Sequence, residues 1–248
     1  FANVTGGSGG AGGFGGGGGG GGAAGDESGF GGNGGNGGFG GGGGGAASGQ
    51  TESGQRGISV GGFGGDGGSL FGTGDPRPGR GGGGAGLGGA IFMRPGSTVT
   101  IQGGITFSGN ATVAGSTGSG IAGDGASDGQ AFGDDIFMMS SSQLTVEALS
   151  SDLTLPTIVG DQGAGGGSTS SGGLTKSGAN RLTLSGANTY TGTTRITWGE
   201  LYIDTGASII TDVEVELGAT LSLDADSNLS GSRSITVDGG TLSAKAGF

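Results

Sequence analysis

Arg181-Leu182-Thr183-Leu184, Glu200-Leu201-Tyr202-Ile203 and Thr220-Leu221-Ser222-Leu223 each place a large aliphatic side chain at every second position. Alternate side chains of an extended chain leave opposite faces, so each run offers one face to a core and one to water. Runs of the same kind lie to either side: Thr98-Val99-Thr100-Ile101, Ile105-Thr106-Phe107, Gln143-Leu144-Thr145-Val146, Asp152-Leu153-Thr154-Leu155 and Ser234-Ile235-Thr236-Val237. Gly, Asn or Asp stands close behind each run, and these residues turn a chain at low steric cost. No amphipathic helix of useful length interrupts them. Short strands with regular turns predict an all-β chain, with sandwich, barrel and solenoid as the architectures to weigh. Hairpin dipeptides such as Asn-Gly are missing between the runs, which favours a parallel solenoid. Val99, Ile101, Leu144, Leu182, Leu184, Leu221, Leu223, Ile235 and Val237 are the expected core.

The rest of the composition suits a narrow core. Of 248 residues, 75 are glycine and 30% are apolar, little for one large globule but enough for short inward rows. There is no cysteine and no histidine, which removes disulfides, thiolate chemistry and the commonest general base and metal ligand. A net charge of −11 disfavours nucleic acid as a partner. No apolar run approaches the ~20 residues of a membrane helix. The chain opens at Phe1 without a signal peptide, and is expected to be a piece of something longer.

Residues 1–90 hold 47 of the 75 glycines. Within them the non-glycine residues of three tracts fall at every third position: Ser8, Ala11, Phe14; Asn33, Asn36, Phe39; and Phe63, Asp66, Ser69. That period suits packed polyglycine helices of polyproline II geometry, three residues per turn, whose bare faces let backbones meet. The other reading is a flexible, low-complexity tract. Phe14, Phe30, Phe39 and Phe63 are expected to anchor these tracts on the solenoid. The domain expectation is thus an N-terminal strand end plus glycine-rich insertion at 1–90, and a solenoid over 91–248.

Two stretches share a frame. Phe1-Ala2-Asn3 leads into the long glycine tract, which ends at Ile91-Phe92-Met93; Phe107-Ser108-Gly109-Asn110 leads into a Gly/Ser/Asp tract, which ends at Ile136-Phe137-Met138. The pattern predicts two insertions, the second at about 111–134, leaving one edge of the solenoid, with Ile-Phe-Met restarting each coil.

The stretch Gly172-Gly173-Leu174-Thr175-Lys176-Ser177-Gly178-Ala179-Asn180-Arg181-Leu182-Thr183-Leu184-Ser185-Gly186-Ala187-Asn188-Thr189-Tyr190-Thr191-Gly192-Thr193-Thr194, continuing through Arg195-Ile196-Thr197-Trp198-Gly199-Glu200-Leu201, resembles the passenger-associated repeat of bacterial autotransporters, assigned here to 172–203. Trp198 stands where that repeat usually has a small residue. Gly88-Gly89-Ala90-Ile91 with Phe107-Ser108-Gly109-Asn110 resembles the GGAI and FxxN motifs of polymorphic outer-membrane proteins. The resemblance implies a right-handed parallel β-helix, export across the outer membrane of a Gram-negative bacterium, and a translocator barrel elsewhere in the full chain. Leu174, Leu182, Leu184, Ile196, Leu201 and Ile203 would fill the coil. Asn188 and Tyr190 would sit at a turn, and Lys176 and Arg181 would lie outside as solvated charges.

Little in the sequence points to chemistry. Asp124, Asp128, Asp134 and Asp135 are weak calcium candidates, for they lack the repeated register of a calcium-binding array, and solvated loop acids are the plainer reading. Glu214 with Glu216 and Asp224 with Asp226 share a strand face, as glycosidase carboxylates would, but Val213, Val215 and Leu217 alternate with the first pair and set it on the solvent side. Trp198 and Tyr202 share a face if their strand is continuous. They are read as core or coil-edge packing, with sugar stacking as the rival use. No catalytic residue and no cofactor is expected. The expected function is a secreted or surface-displayed structural or adhesive solenoid meeting cell-surface or matrix components. The alternatives are a self-associating extracellular fibre subunit and a polysaccharide-active β-helix enzyme.

Overall fold

The computed structural model describes residues 5–22, 30–47, 56–57, 63–69, 79–119, 123–160, 172–225, 228–229, 231 and 233–245. The chain forms two compact units, one built from Phe1–Leu87 and Thr112–Ala131, the other from Gly88–Ala111, Phe132–Gln162 and Ser168–Phe248.

The second unit is a parallel β-solenoid. Its first sheet stacks β3 (Thr98–Gln102), β6 (Gln143–Glu147), β9 (Gly173–Ser177), β11 (Thr194–Ile196), β13 (Val213–Val215) and β15 (Ile235–Val237). The second stacks β7 (Leu153–Leu155), β10 (Arg181–Leu184), β12 (Gly199–Ile203), β14 (Ala219–Leu223) and β16 (Thr241–Ala244). A third holds β2 (Ile91–Met93), β5 (Ile136–Met138) and β8 (Ile158–Gly160), and continues as parallel bridges Ala187↔Ser208 and Ile209↔Leu229. β1 (Gly86–Leu87) and β4 (Ala131–Phe132) are two-residue strands. The chain visits the three sheets in rotation. Thr194 pairs with Val213 and Val213 with Ile235, so these two coils advance 19 and 22 residues.

In-register parallel pairing turns the alternation of each run into ladders. Leu153, Leu182, Leu201 and Leu221 follow one another inside the second sheet, beside Leu155, Leu184, Ile203 and Leu223. All eight are buried. Ile91, Phe92 and Met93 pair residue for residue with Ile136, Phe137 and Met138, and the stacked Phe92 and Phe137 rings lie 5.6 Å apart. Corners between the first and second sheets need left-handed backbone. Gly178 has φ 79°, and a Cβ there would stand 2.5 Å from Ala148 O.

Three expectations fail at the margins of this ladder. Ile105-Thr106-Phe107 is not a strand: left-handed Gly103 ends β3, and Ile105 is exposed beside a cleft shared with Leu153 and Pro156. Val237 is exposed, because β15 is an edge strand of its sheet. Leu217 is also exposed, since β13 stops at Val215 and left-handed Gly218 turns the chain.

The glycine-rich unit is held by hydrogen bonds with a three-residue period. Gly6, Gly9, Gly12 and Gly15 donate to the carbonyls of Phe30, Asn33, Asn36 and Phe39. Gly32, Gly35 and Gly38 donate to Gly22, Gly19 and Gly16, while Gly41, Gly44 and Ala47 donate to Gly38, Gly35 and Gly32. Neighbouring segments run both parallel and antiparallel. Backbones approach so closely that a Cβ on Gly35 would lie 2.0 Å from Gly10 O. Residues 41–47 are buried throughout with no side chain larger than alanine. The Phe14 and Phe39 rings stack with centroids 5.2 Å apart, and Phe63 meets Phe39 edge-to-face at 5.6 Å. The frame partner of Asn110, Asn3, lies outside the described residues, as does Asp226.

Candidate functional site

Within residues 174–211 the polar side chains of Lys176, Asn188, Thr194 and Thr211 are turned inward and buried. β9 alternates in its pairing with β6 and β11, which puts Leu174 inside and, two residues on, Lys176. Lys176 is fully buried, against the expectation of a solvated charge. Its register partners are the buried Val146 and Ile196. At the corner its Nζ donates to three carbonyls, Ser177 O at 2.8 Å, Gly178 O at 2.7 Å and Trp198 O at 2.9 Å. Those three bonds use all three ammonium protons and tie one coil's turn to the next. Burial lowers the lysine pKa to about 8, against the opposing pull of Asp152 and Glu200.

At another corner Asn188 is buried. Its Oδ1 accepts from Ile158 N at 2.9 Å, while its Nδ2 donates to Gly186 O at 2.7 Å and Ser208 O at 3.1 Å. The side chain thereby links three coils at a turn. Tyr190, which was expected at a turn, belongs to the core: it is fully buried, and its hydroxyl shares a 2.8 Å hydrogen bond with Thr194 Oγ1, which shares one of 2.6 Å with Thr211 Oγ1. Burial pushes the phenol well above its ordinary range, although both threonines pull the other way. Asn228 repeats the arrangement of Asn188 further along, accepting from Asp224 N and Ala225 N and donating to Asp204 O and Ala207 O. No buried side-chain nitrogen or oxygen among the described residues lacks a hydrogen-bond partner. Polar atoms so fully engaged are structural clamps.

Charges on the outer faces pair along the ladders. Arg181 Nε lies 2.8 Å from Glu200 Oε2, and its guanidinium sits 4.8 Å over the Tyr202 ring. Glu214 and Glu216, the candidate carboxylate pair, both face Arg195, at 2.7 Å and 3.6 Å. Asp224 is hydrogen-bonded by Thr205 and paired with Lys245 at 3.0 Å, which lowers its pKa. Trp198 and Tyr202 are not on one continuous strand: Trp198 lies in the bend before β12, exposed, with its ring over Gly218 of the next coil.

The four candidate calcium ligands are engaged with protein or dispersed. Within the glycine-rich unit Asp124 is buried and accepts from Arg80 Nη2 at 2.8 Å, Arg80 Nε at 3.1 Å and Arg80 N at 2.7 Å. Burial alone would raise its pKa, but these bonds and that from Ala126 N leave it lowered. Asp128 accepts from Thr117 N at 2.6 Å. Within the solenoid unit Asp135 accepts from Asn110 Nδ2 at 2.9 Å, and Asp134 is exposed. Among the described residues no group of three acidic side chains is placed to hold a metal ion.

The clamps at Lys176, Asn188, Tyr190 and Thr194 all fall within one recognisable segment. Residues 174–203 match the passenger-associated-transport-repeat family. Such repeats are found in autotransporter passengers, which are secreted to the cell surface or beyond with the help of a translocator. The GGAI and FxxN stretches lie outside the matched residues. No curated protein and no solved structure matches the chain. Among the described residues no helix is long and apolar enough to cross a membrane.

Sequence reasoning placed the apolar members of this segment and misplaced its charge. The signal for Lys176 was present, since it stands two residues after Leu174 on the same side of the strand. Thr194 and Thr211 carried no such signal, for threonine fills both faces of these runs.

Proposed function

We propose that the chain is the passenger of an autotransporter, a right-handed solenoid displayed at the surface of a Gram-negative bacterium, where it acts as a non-catalytic structural or adhesive element. The carrying observation is the fate of the polar groups in the matched repeat. Lys176, Asn188, Tyr190 and Thr194 are spent on linking coils to one another, so the repeat works on its own fold. An exported chain gains from such clamps, because coils that lock in sequence cannot slide back through the translocator. The right hand follows the rule for parallel crossover connections. The glycine-rich unit is in this reading a bundle of polyglycine helices and part of what the cell displays. Its three-residue hydrogen-bond period supports this, being the period of that helix. No cofactor is part of the reading, and surface or matrix components are the partners.

Protease treatment of intact cells carrying the natural full-length protein tests the export claim. Loss of residues 91–248 from the outside is expected, and a fragment protected until the cells are lysed would contradict it. A polysaccharide-cleavage screen with the purified chain is expected to be blank; turnover that disappears in Glu214→Gln would instead make the carboxylate pair catalytic.

A further inference from the structure

Among the described residues, the hydrogen-bonded glycine layers have an open side. Residues 6–22 form two antiparallel segments, with Gly16, Gly19 and Gly22 donating to Gly13, Gly10 and Gly7. Their inward side is fully used: Gly6, Gly9, Gly12, Gly15, Gly18 and Gly21 all donate into residues 30–45. Their outward side is not. Gly7, Gly10, Gly13, Gly17 and Gly20 are exposed, and their N–H groups have no acceptor among the described residues. A Cβ added to Gly7, Gly10 or Gly13 would meet nothing within 4 Å. Three residues apart at about 3.1 Å per residue, such groups repeat about every 9 Å. A row of unsatisfied backbone groups at that spacing is to these layers what an edge strand is to a sheet.

We infer that this open face pairs with the same face of a second copy of the chain. The inference rests on the polyglycine reading above and adds a partner to it. Three observations favour a copy over an unrelated occupant. The inner layers show what covers such a face, namely another glycine layer with the same three-residue period. Polarity sets no bar, because segment 6–15 pairs parallel with 30–39 while 16–22 pairs antiparallel with 32–38; a two-fold axis, which sets each segment against itself in reverse, needs nothing the fold does not already use. Finally, residues 5–22 carry no charge although the chain has a net charge of −11, so the acidic surface that would repel a copy lies elsewhere.

Sedimentation velocity of the whole chain across the micromolar range, with parent and Gly10→Val compared, tests the pairing. The parent is expected to show a concentration-dependent dimer. Gly10→Val, whose side chain points into open space within the monomer, is expected to melt with the parent and to weaken the dimer by roughly tenfold or more. A parent that stays monomeric overturns the pairing, and so does a Gly10→Val protein that dimerises as the parent does. In either case slow amide exchange at Gly35 and Gly44 would leave the polyglycine reading standing, whereas fast exchange there would remove both.

Discussion

The two units solve the same problem with opposite materials. The solenoid removes water from side chains: Leu182, Leu184, Leu201, Ile203 and Leu221 are completely buried, and the backbone ladders follow from stacking them. The glycine-rich unit has few side chains to bury, Phe63 and Asp124 among them, and residues 41–47 are buried with no side chain larger than alanine. Apolar area stabilises the first at roughly 25 cal/mol per Å². The second depends on dense hydrogen bonding that offsets the large entropy of ordering glycine. Tolerance should therefore invert between them. A solenoid core position accepts another apolar side chain and rejects a charge; a glycine contact position rejects any side chain.

The largest expected effect comes from breaking the solenoid side of this contrast. Leu184→Asp buries an unpaired carboxylate between Leu155 and Ile203, at a cost of several kcal/mol, comparable to the whole stability margin. Loss of the cooperative thermal transition is expected, and an unchanged melting temperature would place Leu184 outside the core. Next comes Gly35→Val, whose Cβ would overlap Gly10 O at 2.0 Å and should cost about 3 kcal/mol. Its neighbour Asn36, exposed at the next position, should accept valine with little change by the same thermal melt. Equal effects of the two substitutions would mean that the glycine layers are not packed as described.

Lys176→Met is smaller and sharper. It keeps the bulk but leaves Ser177 O, Gly178 O and Trp198 O without their donor, so a loss of about 1–3 kcal/mol in denaturant unfolding is expected. The same lysine supplies a pH signature. Its folded-state pKa is lowered from 10.5 to about 8, so the cost of burying the charged form is complete below pH 8 and is relieved as pH rises from 8 towards 10.5. Stability from this group thus climbs across that window in the parent and stays flat in Lys176→Met. The smallest effect belongs to Arg181→Ala, which removes an exposed pair with Glu200 and should cost about 0.2–1 kcal/mol, less at high salt.

Period two was legible wherever a run had a stacked neighbour on both sides, as at Leu182 and Leu201. It misled at Ile105, where left-handed Gly103 has already ended the strand, and at Val237, on the edge strand β15. Lys176 was misread for a different reason. Residue type outweighed position, and nothing local announces three carbonyls that converge only when coil stacks on coil. The Asp124–Arg80 pair is likewise non-local, joining residues 44 apart. In the glycine tracts the spacing of Asn33, Asn36 and Phe39 was visible in the sequence, whereas which segment pairs with which was not, since bare glycine carries no register.

Residue-resolved amide hydrogen exchange tests the contrast between the units most directly. At concentrations too low for association, Gly9, Gly12, Gly35 and Gly44 should exchange slowly while Gly10 and Gly13 exchange fast, a protection pattern of period three set beside continuous protection in β10 and β12. Uniformly fast exchange across residues 6–47, with the solenoid still protected, would contradict the claim that backbone hydrogen bonding orders the glycine layers.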